Sequence, residues 1–206
     1  MSTDDARSPK SEVGRALHGR QHLTDEVTGL LARGDHVLLV GPAEIGKTAL
    51  IEALASPATV LDPFEHVSPR LAAQIRRAMD RGTQFIAAAR TLDRRRLGAV
   101  RRIAWRFTTL HVPPLNGRPM RHLVVAECAR LGLPSEQATV AWIDSILHLA
   151  RGRPGVALMT VGVAARIRAA TNTLPSAPAA YIEALVARNA AAVRPTGEQA
   201  VRRRQP

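Results

Sequence analysis

The stretch Gly41-Pro42-Ala43-Glu44-Ile45-Gly46-Lys47-Thr48 decides the fold, because it matches the pattern G-x-x-x-x-G-K-[ST] in full. The apolar run His36-Val37-Leu38-Leu39-Val40 precedes it and predicts a buried parallel strand. Residues 48–55 follow it and are good helix formers. The stretch is therefore predicted to be a turn from strand to helix, the first unit of an α/β fold.

The residue types of this loop indicate phosphate binding. Glycines let successive backbone N–H groups face one centre, and the helix N-terminus adds partial positive charge. Lys47 would reach the β- and γ-phosphates of ATP, and the Thr48 hydroxyl would hold Mg²⁺. Lys47 also stands out as one of only two lysines among 29 Lys and Arg residues. The predicted nucleotide contacts in this loop are Gly41, Pro42, Ala43, Glu44, Ile45, Gly46, Lys47, Thr48 and Ala49.

Composition limits the class of protein. With 206 residues and 46% hydrophobic content, the chain can bury one α/β core with a helical extension. The single cysteine, Cys128, excludes a disulfide within the chain and fits a reducing cytoplasm. No apolar run approaches membrane-spanning length, and the first ten residues lack an apolar signal region. We therefore expect a cytoplasmic protein with no membrane partner.

Hydrophobic periodicity and turn residues predict the order of elements. Strands are expected at 36–40, 58–62, 84–89 and 107–112. Helices are expected up to Gly34, at 48–55, 69–82, 92–102, 118–131, 135–150, 154–170 and 179–192. Residues 1–13 and the basic tail 194–206 are predicted to be disordered.

Two carboxylates follow the second predicted strand. A right-handed crossover would bring Asp62 to the sheet edge that carries the phosphate-binding loop, so Asp62 is predicted to complete the Mg²⁺ site with Thr48. The alternative is an ordinary turn or helix-capping aspartate. Glu65 is the nearest further acid, and it is either a catalytic carboxylate or a solvated loop residue.

The order of these parts resembles the AAA+ ATPases, in the branch of origin-recognition-like proteins, ExeA-like ATPases and DNA-transposition helper ATPases. Gly19-Arg20 before a helix is similar to the family's element that borders the adenine. Residues 85–91 are similar to the sensor-1 strand, which makes Arg90 and Thr91 nucleotide-site candidates.

Two further pieces carry the resemblance. Arg106-Phe107, leading to Pro113-Pro114-Leu115, is similar to the element that ends the nucleotide-binding subdomain. Residues 150–155 are placed like the sensor-2 turn of a helical lid, and Arg153 is the corresponding candidate, with helix capping as the alternative. The resemblance spans about residues 15–170.

The resemblance implies a P-loop NTPase with a three-layer core and a C-terminal helical lid. Only 14 residues separate Thr48 from Asp62, too few for the strand and helix that the family usually has there. In the family's strand order, 5-1-4-3-2, the missing strand lies at the edge. We therefore expect a parallel sheet of about four strands. The predicted divisions are a nucleotide-binding subdomain at 14–115, a lid at 116–172, and a linker with a C-terminal helix at 173–193.

The resemblance also sets expectations for hydrolysis. The family's strand normally ends in Asp-Glu, with the glutamate orienting the attacking water, but here Pro63 follows Asp62. Hydrolysis of ATP is therefore expected to be slow or to use another carboxylate, such as Glu65. Arg106 is the candidate arginine finger for a neighbouring subunit, and Arg101, Arg102 or a simple surface role are the alternatives.

Arginine density indicates a polyanionic partner. The formal net charge is +12, and nine arginines but one acid, Glu127, lie between residues 94 and 130. Such a surface suits phosphate contacts on double-stranded DNA without base readout. The predicted DNA-binding residues are Arg94, Arg95, Arg101 and Arg102.

Three functions remain open from the sequence. The first is an ATP-dependent head-to-tail oligomer, ring or filament, that acts on DNA as a targeting or transposition regulator with a transposase or other effector. The second is a STAND-like nucleotide-dependent switch with weak hydrolysis, which the missing Asp-Glu pair favours. The third, a small-molecule kinase, is disfavoured because no substrate-binding domain interrupts the core.

Overall fold

A computed structural model describes residues 19–54, 56–93 and 97–193 of the chain. The strands are β1 (His36–Val40), β2 (Thr59–Leu61), β3 (Phe85–Ala89) and β4 (Phe107–His111). The α-helices are α1 (Gln21–Ala32), α2 (Lys47–Ala53), α3 (Pro69–Asp80), α4 (Gly117–Arg130), α5 (Val140–Ala150), α6 (Pro154–Thr171) and α7 (Ala177–Val193). Short 3₁₀ helices occur at Phe64–His66, Gly98–Arg102 and Ala104–Arg106. No helix in these ranges is both long enough and apolar enough to span a bilayer.

The four strands form one parallel sheet in the order β2-β3-β1-β4. The last residue of β1, Val40, is in register with Ala89 of β3 and His111 of β4. All carboxyl ends therefore meet at one edge, and the loop after β1 lies at the centre of that edge. The predicted four-stranded parallel sheet is confirmed.

Side chains along β1 alternate between the two faces of the sheet, and because helices cover both faces the core has three layers. Val37 and Leu39 point to the face covered by α1 and α2. Leu38 and Val40 point to the opposite face, which is covered by α3 and the 3₁₀ segments. A strand buried on both faces must be apolar, as the four buried residues 37–40 of β1 are.

The four C-terminal helices have their own apolar core, which includes Met120, Val124, Ile143 and Val161. Helix α5 begins at Val140 rather than at residue 135 as predicted, because the Thr139 hydroxyl accepts the backbone N–H of Trp142 and caps the helix there.

The predicted arginine-rich helix at 92–102 is wrong. Leu92 and Asp93 are not helical, and the Asp93 N–H donates to the Thr91 hydroxyl. Gly98 has a φ of +52°, outside the right-handed helical region, and a 3₁₀ helix runs from it to Arg102. The local left-handed backbone at Gly98 interrupts the helical spacing that the sequence presents. Arg94 and Arg95 lie outside the described residues.

Candidate nucleotide-binding site

The loop between β1 and α2 is held by its backbone and by one buried side chain. Gly46 has a φ of +94°, a conformation that favours glycine, and Glu44 also has a positive φ. Ile45 is fully buried and anchors the loop in the core below. A Cβ on Gly41 would lie 3.2 Å from the Val112 carbonyl oxygen, so the loop and the end of β4 are closely packed. The loop is therefore fixed at the carboxyl edge of the sheet.

Lys47 is folded against this loop and is only 9% exposed. Its Nζ donates to the carbonyl oxygens of Gly41 and Pro42, at 2.7 and 2.9 Å. Burial lowers the pKa of Lys47, while the nearby carboxylates of Asp62 and Glu65 act in the opposite direction. The ammonium therefore lies at the loop where it could exchange carbonyl oxygens for phosphate oxygens.

Thr48 and Asp62 meet beside the loop. The Thr48 hydroxyl donates to Asp62 Oδ2 at 2.5 Å, although the two residues are 14 positions apart. A hydroxyl beside a carboxylate offers the hard oxygen ligands that Mg²⁺ prefers. Within the described ranges no group of three His, Cys, Asp or Glu side chains could hold a metal by itself. The pair thus fits an ion that takes its other ligands from water and phosphate.

Glu65 is the second carboxylate at this edge. Its Oε1 accepts the Arg90 backbone N–H at 3.0 Å, while its Oε2 is buried without a hydrogen-bond partner. Glu65 and Arg90 both line the cleft beside the loop, whereas Thr91 does not. The lone pairs of Oε2 can accept a hydrogen bond, but the atom is closed to solvent here, so a water molecule in the cleft would reach it only after the Glu65 side chain turns.

The cleft has a volume of about 730 Å³ and two chemically different walls. The loop and the strand ends form the polar wall. The opposite wall is apolar and comes from Leu115, in the segment before α4, and from Leu123, Pro154 and Leu158 of helices α4 and α6. Sequence reasoning did not place these side chains at the site, because an apolar residue that lines a cleft has the same local pattern as a core residue. An apolar wall facing a phosphate-binding loop suits a ligand with a planar base and a charged tail.

The start of α6 packs on the loop itself. The Gly155 N–H donates to the Glu44 carbonyl oxygen at 2.9 Å. A Cβ on Gly155 would lie 3.0 Å from Glu44 Cβ and 3.1 Å from Glu44 O, so a side chain here would require a shift of a few tenths of an ångström. Arg153, the sensor-2 candidate, donates from Nε to the carbonyl of Ala150, the last residue of α5, and is not among the residues that line the cleft.

The chain entry to α1 closes the cleft from another side. Gly19 has a φ of +68°, and a Cβ there would lie 2.5 Å from Pro119 Cβ. Arg20 is 6% exposed and lines the cleft. Its Nη2 donates to the Pro113 carbonyl at 3.2 Å, and its Nη1 has no hydrogen-bond partner among the residues that the structure describes. Burial lowers the pKa of Arg20.

Arg106 lies at the amino ends of the strands, the end of the sheet opposite the phosphate-binding loop. It precedes Phe107, which is in register with His36 at the amino end of β1. Its Nη1 donates to Asp80 Oδ1 at 2.6 Å. A full strand length, roughly 13 Å, therefore separates Arg106 from the loop of its own chain, and it takes no part in the cleft described above.

Arg101 and Arg102 are exposed beside Arg106, and a side chain that sequence reasoning missed accompanies them. Trp105 is 78% exposed, and its indole N–H donates to the Arg102 carbonyl at 3.0 Å. Arg76 joins Arg101 and Arg102 along a groove of about 520 Å³ between α3 and the 3₁₀ segment. The arginines that are distant in sequence thus share one surface with an exposed aromatic ring.

Comparison with known proteins identifies the fold. No protein-family model matches the sequence, and no curated protein matches it significantly. Similar solved structures are of RuvB from Thermotoga maritima, described as a Holliday junction branch migration motor. One is 15% identical, covers 81% of this chain and 69% of that chain, and has a TM-score of 0.52.

Two structures of RuvB variants with single substitutions are similar to this chain to about the same degree. One has a TM-score of 0.54 at 13% identity, covering 83% of this chain and 70% of that chain. The other has a TM-score of 0.52 at 16% identity, covering 86% and 69%. At such identity the similarity shows the fold alone, an α/β P-loop NTPase core like that of RuvB. The transposition-helper branch stays a prediction.

Proposed function

We propose that this chain binds ATP with Mg²⁺ and hydrolyses it, and that nucleotide controls its head-to-tail assembly on DNA. One observation carries the proposal: Lys47, Thr48, Asp62 and Glu65 converge on a single cleft at the carboxyl edge of a parallel sheet. Nucleotide sites of α/β proteins form at that edge. The apolar wall opposite supplies a place for the base.

The cleft residues have complementary roles in the proposed hydrolysis. Loop N–H groups and Lys47 would bind the phosphates and stabilise the charge that develops on the γ-phosphate. Mg²⁺, held by Thr48 and Asp62, would neutralise charge on the phosphate oxygens when bound. Glu65 would orient the attacking water once its side chain turns Oε2 toward the cleft. Arg90 would hold the Glu65 carboxylate in place through its backbone N–H.

The position of Arg106 supports assembly. Because it lies at the sheet edge opposite its own loop, it would act on a nucleotide only in a neighbouring subunit. A head-to-tail arrangement places this edge of one subunit against the cleft of the next. The ion pair with Asp80 would hold the side chain until that contact forms.

The exposed arginines support DNA as the second partner. Arg101, Arg102 and Arg76 share a surface with Trp105, and Arg94 and Arg95 adjoin it in sequence. Arginines on such a surface contact phosphates irrespective of base sequence. By its resemblance to transposition helpers, the assembly would recruit a transposase or another effector protein.

A STAND-like switch that holds nucleotide and hydrolyses it weakly is the second candidate. It is favoured by Asp62 lacking an adjacent glutamate and by Glu65 being held through the Arg90 N–H. The two candidates differ in their response to DNA.

The test measures ATPase rate and sedimentation with and without double-stranded DNA, over a salt series. The variants are Lys47→Ala, a double variant Arg101→Ala with Arg102→Ala, and a charge-matched control, Arg118→Ala with Arg166→Ala. We expect DNA-stimulated assembly that requires Lys47, and a salt dependence of DNA affinity about 2 units shallower for the first double variant only. Tight nucleotide binding with no DNA response would favour the switch, and no nucleotide binding at all would refute both.

A further inference from the structure

Arg20 carries a buried positive charge that no carboxylate in the described part of the chain neutralises. Its side chain is 6% exposed, yet it forms no ion pair within the described part of the chain. One terminal nitrogen, Nη2, donates to a single carbonyl oxygen, that of Pro113, and the other, Nη1, is buried and has no acceptor. Arginine has five N–H donors and stays charged in proteins, so this arrangement is costly unless a ligand completes it.

The guanidinium points at the phosphate-binding loop. A Cβ built on Gly46 would lie 3.8 Å from Nη1 and 3.9 Å from Cζ of Arg20. Gly46 immediately precedes Lys47 and the first turn of α2. The orphan donor therefore lies beside the backbone that would hold the phosphates, while the other loop-bound cation, Lys47, is turned toward the Gly41 and Pro42 carbonyls.

The apolar wall fixes which part of a nucleotide Arg20 can meet. Arg20 lines the same cleft as Leu115, Leu123 and Leu158, which suit the base, and as the loop, which suits the outer phosphates. Arg20 lies between these two regions: its guanidinium is beside Gly46 of the loop, and an added Cβ on the preceding Gly19 would lie 3.2 Å from Cδ1 of Leu115 in the apolar wall. It therefore faces the junction of base and phosphate chain. The anionic group at that junction is the innermost phosphate, common to nucleoside mono-, di- and triphosphates.

Resting on the proposed function, we propose that Arg20 is the counter-ion of the α-phosphate of the bound nucleotide. Charge pairing of this kind completes the guanidinium's hydrogen bonds and is present equally with ADP and ATP. Arg20 then makes the chain retain ADP after hydrolysis, whereas Lys47 distinguishes the outer phosphates. In the nucleotide-free protein the unpaired charge of Arg20 destabilises the fold.

The test compares Arg20→Met and Arg20→Lys with a control at the opposite end of the same helix, Arg33→Met, whose parent side chain pairs with Asp35 at the surface. Arg20→Met keeps the buried stem and removes the charge. Thermal unfolding is measured without ligand, and binding of ADP, ATP and GDP is measured by calorimetry.

We expect Arg20→Met to melt at or above the wild-type temperature without ligand, and to bind ADP and ATP about 10- to 100-fold more weakly, by the same factor. Arg20→Lys should retain part of the affinity, and Arg33→Met should bind as wild type does. The opposite signs for ligand-free stability and binding separate a ligand contact from a structural one.

Four outcomes would overturn the inference. A lower melting temperature with unchanged ADP affinity would make Arg20 a structural residue. A loss that differs between ADP and GDP would assign it to the base. Equal nucleotide binding by wild type and Arg20→Met would reject it while leaving the proposed function intact, whereas a wild type that binds no nucleotide would reject both.

Discussion

Replacing Gly155 by alanine tests whether the helical lid is packed on the phosphate-binding loop. The added Cβ would lie 2.3 Å from Glu44 Oε2, 3.0 Å from Glu44 Cβ and 3.1 Å from Glu44 O. The carboxylate is on an exposed side chain and can move away. The Cβ and the carbonyl oxygen belong to a loop fixed by Ile45, so the start of α6 must shift by a few tenths of an ångström.

The magnitude follows from two opposing effects. Alanine in a helix is more favourable than glycine by about 0.5–1 kcal/mol. Overpacking costs about 1–3 kcal/mol, and the shift weakens the hydrogen bond from the Gly155 N–H to Glu44 O. Gly162 lies in the same helix, and nothing lies within 4 Å of an added Cβ there. Gly162→Ala should therefore gain the higher helix propensity of alanine without any overpacking.

The assay is urea and thermal unfolding of the two variants, together with ADP binding. Gly155→Ala should be less stable than Gly162→Ala by about 1–3 kcal/mol, and each kcal/mol corresponds to about 2–4 °C in melting temperature for a chain of this size. Weaker ADP binding should accompany it, because the loop is displaced. Equal stability and equal ADP affinity for both variants would show that the lid does not rest on the loop.

Three further predictions concern catalysis, assembly and the buried thiol. Glu65→Gln should lower the ATPase rate about 10²- to 10⁴-fold with nucleotide affinity unchanged, since a water-orienting carboxylate acts only on the reaction. A loss of affinity with little change in rate would contradict that role. Arg106→Ala and Lys47→Ala should each be inactive alone but recover part of the activity when mixed, because a mixed interface pairs an intact loop with an intact Arg106; no recovery over a range of ratios would argue against action between subunits. Burial, with a smaller contribution from Glu127, raises the pKa of the Cys128 thiol to about 11. The folded state therefore favours the neutral thiol, and its stability contribution is present below about pH 9 and is lost as the pH rises toward 11. The free energy of unfolding of wild type should fall more steeply over that range than that of Cys128→Ala, and identical slopes would refute the shift.

The sequence by itself determined the strand-loop-helix unit and the number of strands. These depend on short-range properties: an apolar run that fits a strand buried on both faces, and a glycine at the left-handed position before Lys47. The meeting of Thr48 and Asp62 also followed, because parallel strands joined by right-handed crossovers end at one edge. The prediction of a helix at 92–102 was wrong because helical spacing does not reveal that Gly98 adopts a positive φ.

The tertiary structure decided the contacts between residues far apart in the chain. Arg20 reaches the Pro113 carbonyl across 93 positions, and Arg90 meets Glu65 across 25. The fit of Gly155 on Glu44, the apolar wall of the cleft and the exposure of Trp105 likewise come from the docking of separate helices. The local sequence does not determine which side chains a distant element leaves buried, paired or unpaired, since that depends on packing between elements.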